Sequence, residues 1–320
     1  MINSINSLNV IYQRYIPIEK IWGSASLLRE YVKEDLRSNV GELIEFTPEL
    51  DNQLVERYLY KGVFCRCPDH LLSPESSLIF KLIAAKENLS IQVHPNDDDA
   101  YRIEGKRLGK TEAWVVLNAQ KGARVAVGFA QRMNSGKLQS LFQFDDWQNF
   151  LNWIEVKPGD LIYIPAGTVH AIGAGCVLAE IQQPTDITYR LFDYNRRDVD
   201  GRLRLLHKEK GRLAINFDAS GPNFLAEIKR LNHIYREYGE FHCNYFSIKR
   251  YCYDVASKIV IALSSFDLFF VSDGRVKLSF KDAPTLYYCK GETFMISAND
   301  IEEIVLEVRG CLLKFSTVNK

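Results

Sequence analysis

The sequence predicts an all-β chain of two β-barrel domains with a small helical insert. Three observations carry that expectation. From Gly41 onward, short apolar runs alternate with turn residues. In Leu89–His94, apolar Leu89, Ile91 and Val93 alternate with polar Ser90, Gln92 and His94, the period of a strand with two distinct faces. Finally, Val156–Ile172 (VKPGDLIYIPAGTVHAI) resembles Cys289–Ile304 (CKGETFMISANDIEEI), which pairs Gly159 with Gly291, Asp160 with Glu292, Ile164 with Ile296, Ala166 with Ala298 and His170 with Glu302. Two similar β-units imply two similar domains, and only the first keeps a histidine. Their expected extents are 1–237 and 238–320, with the insert at about 134–154.

Taken in order, Ser26–Val32 reads as a short helix. Leu78–Ala85 is a strand, Lys86–Asn88 a turn, and Leu89–His94 the central strand, stopped by Pro95-Asn96-Asp97. A polar excursion leads to a strand at Lys110–Leu117, with Lys110 and Glu112 on one face, and Val125–Phe129 is another strand. In the insert, Asn134 or Ser135 caps a helix carrying Leu138, Leu141 and Phe142. Asp145 or Asp146 caps a second helix carrying Trp147, Phe150, Leu151 and Ile154, whose aromatics are packing residues. Strands resume at Leu161–Ile164, Val169–Ile172, Val177–Gln183 and Thr188–Tyr194. Arg196–Gly201 is a hairpin tip, and Leu225–Arg236 a short helix before the boundary.

The chain has 320 residues, 47% hydrophobic and 25% charged, with 40 acidic and 40 basic side chains. That balance gives no general pull toward nucleic acid or a membrane surface. No apolar run is long enough to span a bilayer, and the first residues lack the layout of a secretory signal, so a cytoplasmic protein is expected. Seven cysteines with no CxxC pair, Cys65 and Cys67 forming a lone CxC, read as reduced thiols.

Gln92, His94, Glu112 and His170 stand out chemically. Alone, Lys110 and Glu112 could belong to a solvated sheet face, and His170 could be a structural histidine. Together, two imidazoles, a carboxylate and an amide oxygen suit a divalent ion of the zinc or iron type, if a β-barrel gathers them.

Several stretches, in order, resemble the type I mannose-6-phosphate isomerases in their short bacterial form: KIWG at 20–23, QVHPND at 92–97, GKTE at 109–112, PAGTVHAI at 165–172, EIQQPTDITYRLFDYNR at 180–196 and LHKEK at 206–210. The resemblance covers roughly residues 17–215 and thins beyond them. It implies two cupin-type jelly-roll barrels, one zinc ion per chain held by Gln92, His94, Glu112 and His170, and interconversion of mannose 6-phosphate with fructose 6-phosphate. It assigns a catalytic role to Arg190 and places Lys110 in the family's KTE motif. Ser90, on the ligand face of its strand, becomes a candidate substrate contact. Such an isomerisation moves a proton between C2 and C1 through an enediol. It requires cations near the developing oxyanion, Arg190 or Lys110, and a general base, for which Glu180 and Asp186 are candidates and Lys110 a third. Two alternatives remain: a non-haem iron oxygenase, or a sugar-phosphate-binding protein without turnover. Oligomeric state is not legible.

Overall fold

The computed structural model describes residues 9–11, 15–32, 34–47, 58–60, 63–65, 78–198, 200–264, 266–279, 285–297 and 303–318. The chain runs β1 (Asn9–Ile11), β2 (Ile16–Glu19), β3 (Val40–Phe46), β4 (Tyr58–Tyr60), β5 (Val63–Cys65), β6 (Ile79–Ala84), β7 (Ile91–Val93) and α1 (Asp97–Glu104). It continues through β8 (Glu112–Ala119), β9 (Arg124–Phe129), α2 (Ser135–Phe144), α3 (Trp147–Phe150), β10 (Leu151–Glu155), β11 (Leu161–Ile164), β12 (His170–Ile172), β13 (Cys176–Gln182) and β14 (Tyr189–Phe192). After α4 (Lys208–Ala214) and α5 (Gly221–Tyr238) come β15 (Glu240–His242), β16 (Phe246–Ala262), β17 (Phe266–Leu278), β18 (Leu286–Cys289), β19 (Thr293–Ser297) and β20 (Glu303–Thr317).

The expectation of a mainly β protein holds. Among the described residues its three large sheets are antiparallel and stay open, each with free ends, rather than closing into barrels. One has the order β10-β9-β12-β7-β14, a second β11-β8-β13-β6-β3-β2, and the third β1-β19-β17-β20-β16-β15 with β18 on β17. They stack as layers. The second sheet is the middle layer, which explains why β6 and β13 are buried along their whole length. Period two sorts their side chains. Ile83, Trp114, Val116 and Leu178 face Val125, Val127 and Ile172 of the first sheet. Phe80, Leu82, Val115, Ala179 and Ile181 face Leu268, Phe270, Leu313 and Phe315 of the third. The outer face of the first sheet is covered by helices, with Leu138, Leu141, Trp147 and Ala214 packed on Ile91, Val93 and Leu191.

The insert differs from expectation at its end. Leu151 and Ile154 lie not on a helix but in β10, which pairs with β9 and places Leu151 opposite Phe129. Two helices add to those the sequence predicts. α1 occupies the polar excursion, capped by the Asn96 side chain on the Asp99 N–H and closed by left-handed Gly105. α4 begins inside the LHKEK stretch, at Lys208. The helix expected at Leu225–Arg236 is longer, starting at Gly221-Pro222 and ending at left-handed Gly239.

The internal repeat has a geometric counterpart. Gly159 and Gly291 sit in equivalent strand–turn–strand positions with φ of +85° and +86°, a conformation that favours glycine. Ala298 and Glu302 of the second copy lie outside the described residues. The reading of the cysteines as reduced thiols is corrected for one pair. Cys252 and Cys311 are directly opposite on β16 and β20, with Cα atoms 4.2 Å apart, and are joined by a disulfide. Cys176, Cys243 and Cys289 are free thiols. The Cys65–Cys67 pair lies outside what is described, beyond the backbone of Cys65.

Candidate metal centre

The site lies between the first and middle sheets. On the first sheet, Gln92 of β7 has His170 of β12 directly opposite on one side and Arg190 of β14 on the other, so all three side chains share a face. His94 follows β7. From the middle sheet, Glu112 opens β8 opposite Gln182 of β13. Trp114 and Glu180, also opposite one another, come next on the same face.

His94, Glu112 and His170 are buried, and their ligand atoms all lie within 4.8 Å of one another. His94 Nε2 is 3.4 Å from Glu112 Oε2, and His170 Nε2 is 3.4 Å from Glu112 Oε1. The Gln92 amide reaches His170 Nε2 at 3.2 Å. Ligands about 2.1 Å from a tetrahedral ion stand roughly 3.4 Å apart, so these spacings fit a zinc-type coordination sphere. The opposite ring nitrogens support the same orientation. His94 Nδ1 donates to the carbonyl of Ile187 and His170 Nδ1 to that of Thr168, both at 2.9 Å. A carbonyl can only accept, so each Nδ1 carries the proton and each Nε2 presents its lone pair inward. Neither Glu112 oxygen accepts a hydrogen bond of good geometry, although both are buried. Lys110 stands 2.7 Å from Oε2, but Oε1 has only the His170 ring before it, and a cation between the two imidazoles would supply its missing partner. The residues therefore fit a divalent ion.

The surrounding charges are ordered. Burial opposes the Lys110 charge, but the carboxylates of Glu112, 2.7 Å away, and Glu180, 3.7 Å away, outweigh it and hold the ammonium firmly protonated. Burial likewise opposes ionisation of Glu112, yet the Lys110 ammonium holds it well below the usual carboxylate range. Burial keeps both imidazoles neutral, pushing His170 down to about 3. Glu180 behaves differently. Burial and the neighbouring charge of Glu112 push it up to about 7, and its Oε2 accepts a 2.9 Å hydrogen bond from Trp114 Nε1.

The remaining expected residues are distributed as follows. Ser90 is buried and donates to Gln92 Oε1 at 3.4 Å. Asp186 lies at the rim, 69% exposed and 2.8 Å from buried Lys81, which outweighs desolvation and holds the carboxyl low. Arg190 donates to the carbonyl of Leu205 at 2.8 Å, while its buried Nε has no partner. Asp193 does not pair with Arg190; it binds Arg196 at 2.5 Å and Arg204 at 3.2 Å. Sequence reasoning did not single out Trp114, Lys81 or Gln182. All are buried at this face, and only their strand period marks them.

No family model matches the chain. Mannose-6-phosphate isomerase ManA of Bacillus subtilis is 37% identical over 201 residues, 60% of this chain and 63% of that one. The mannose-6-phosphate isomerase of Streptococcus mutans is 36% identical over 202 residues, with the same shares. The chain thus aligns with less than two thirds of these relatives' length. Solved structures align throughout. The mannose 6-phosphate isomerase from Bacillus subtilis superposes with a TM-score of 0.75 and 25% identity, over 96% of this chain and 99% of that one. The chain shares the fold of the phosphomannose isomerases. A putative mannosephosphate isomerase from Archaeoglobus fulgidus gives a TM-score of 0.76 at 19% identity, over 99% and 100% of the two chains. A mannose 6-phosphate isomerase bound with zinc and yttrium gives 0.68 at 15% identity, over 98% and 100%.

Proposed function

We propose that the protein is a zinc-dependent isomerase interconverting D-mannose 6-phosphate and D-fructose 6-phosphate through an enediol, with one ion per chain. The proposed setting is the cytoplasm; among the described residues no helix is long and apolar enough to cross a membrane. The observation that carries the reading is the buried His94–Glu112–His170 group beside Lys110 and Glu180. The names of the relatives and the zinc of one structural neighbour support it. Gln92, His94, Glu112 and His170 would hold the ion, whose contribution when bound is Lewis-acid stabilisation of charge on the sugar oxygens. Glu180 takes the C2 proton and returns it to C1, because its carboxyl titrates near neutrality and can both accept and donate. Lys110, fixed as an ammonium, steadies the developing oxyanion rather than acting as a base. Asp186, held ionised at the rim by Lys81, is a poorer base than Glu180. Arg190, sharing a face with Gln92 and with Nε free, meets anionic oxygen of the substrate. Ser90 buttresses Gln92 and borders the same space.

A coupled assay of mannose 6-phosphate conversion tests the reading. Turnover is expected from the metal-loaded protein, with loss on chelation and recovery on adding zinc. Binding of the sugar phosphate without conversion, or turnover indifferent to chelator, would overturn it.

A further inference from the structure

His207, from the LHKEK stretch, is tied to the backbone of Arg190 at both ends. The Arg190 N–H donates to His207 Nδ1 at 3.1 Å, and the His207 N–H donates to the Arg190 carbonyl at 2.7 Å. β14 is the last strand of its sheet, so an outward-facing peptide there has no further strand to bond. The 205–207 segment takes that place at one residue, and the carbonyl of Leu205 holds the Arg190 guanidinium as well. Three hydrogen bonds to two residues of that segment, His207 and Leu205, therefore fix both the main chain and the head of one arginine. Because Nδ1 accepts, the ring proton sits on Nε2, away from the bond. The ring borders a cavity of about 230 Å³ lined also by Glu104, Lys106, Ile187, Thr188, Tyr189 and Lys210.

We propose that His207 is a positioning residue that clasps Arg190 in register for its contact with the substrate. This rests on the isomerase reading above. Asparagine carries Oδ1 where histidine carries Nδ1, so His207→Asn keeps the acceptor; His207→Gln moves it one bond outward, and His207→Ala removes it. Displacing a positioned group by about an ångström costs up to roughly 100-fold in rate. His207→Ala and His207→Gln are expected to lower kcat by about 10- to 100-fold with KM changed less than about threefold, and His207→Asn to stay within about threefold of the parent. Exchange of the Arg190 amide hydrogen is expected to accelerate in the Ala and Gln variants and not in Asn. Should the Ala variant fail to fold, the Asn–Gln comparison decides. A kcat for Gln within twofold of Asn, or Arg190 exchange equal across the folded variants, overturns the clasp. If the parent itself does not isomerise, the functional reading falls, and the exchange series alone then upholds or refutes the clasp.

Discussion

At the residue scale, the proposed function depends on two carboxylates made unlike by their surroundings. Glu112 lies between a protonated lysine and two imidazoles and stays ionised; Glu180 has desolvation and a like charge against it. If Glu180 is the base, kcat must rise as pH passes about 7, because only the ionised form accepts a proton. Glu180→Gln should reduce kcat by roughly 100-fold or more, the usual contribution of a general base. Trp114→Phe keeps the ring but removes the N–H donor to Glu180. That bond favours the ionised carboxyl, so its loss should move the rising limb upward by roughly one pH unit. A pH–rate profile checks both the position and the direction. The ligands themselves make a separate prediction: His94→Ala should cut zinc content well below one ion per chain and remove turnover together with it, as read by metal analysis beside the assay. Gln92, His94, Glu112 and His170 were legible because a two-residue period and short motifs mark them. The division of labour proposed for Glu180, Asp186 and Lys110 was not, because it rests on Lys81, Trp114 and burial, which only folding brings together.

At the element scale, strand periodicity was the readable signal and end signals were the neglected one. The strands from Leu78 to Tyr194 lie within a few residues of their expected positions. α1 was missed although Asn96, three aspartates in its first turn, Arg102 and Gly105 spell its two ends. β10 was folded into the helical insert because Trp147, Phe150, Leu151 and Ile154 also fit a helix, and only pairing with β9 decides. One strand residue carries a stability prediction. Glu45 of β3 is buried and accepts a 2.9 Å hydrogen bond from Thr293 of β19, while its other oxygen has no partner. Burial pushes its carboxyl up to about 8 from 4.5, so the folded state prefers it protonated. Its contribution is therefore whole below the unfolded value of 4.5 and is lost as pH rises toward about 8. The difference amounts to about 3 kcal/mol near neutral pH. Glu45→Gln, which keeps an acceptor for Thr293 and cannot ionise, should raise the melting temperature at pH 8 and leave it nearly unchanged at pH 4. An equal effect at both pH values would refute the buried charge as its cause.

At the scale of the whole molecule, the repeat implies two related β-units, and side chains from both halves build one interior. Phe80 of β6 lies with its ring centroid 5.4 Å from Phe270 of β17 and 4.9 Å from Phe315 of β20, within a cluster that also takes in Tyr31, Tyr235 and Leu313. β1 adds a strand from the amino-terminal end to the carboxy-terminal sheet. The near-continuous apolar runs at Leu78–Ala85 and Val177–Ile181 carry the signal of strands buried on both faces, but not which sheet covers each face. The shared interior has a thermodynamic consequence. A site inside one half and independent of the other would, when truncated, destabilise that half alone. Phe80 touches both, so Phe80→Ala should remove about 3–5 kcal/mol from a single cooperative transition. Near-ultraviolet dichroism, calorimetry and loss of the proposed metal site should then report the same lowered midpoint. Two transitions in the parent, with only one displaced by Phe80→Ala, would mean that residues 1–237 and 238–320 fold as separate units and that the Phe80–Phe270–Phe315 cluster does not couple them.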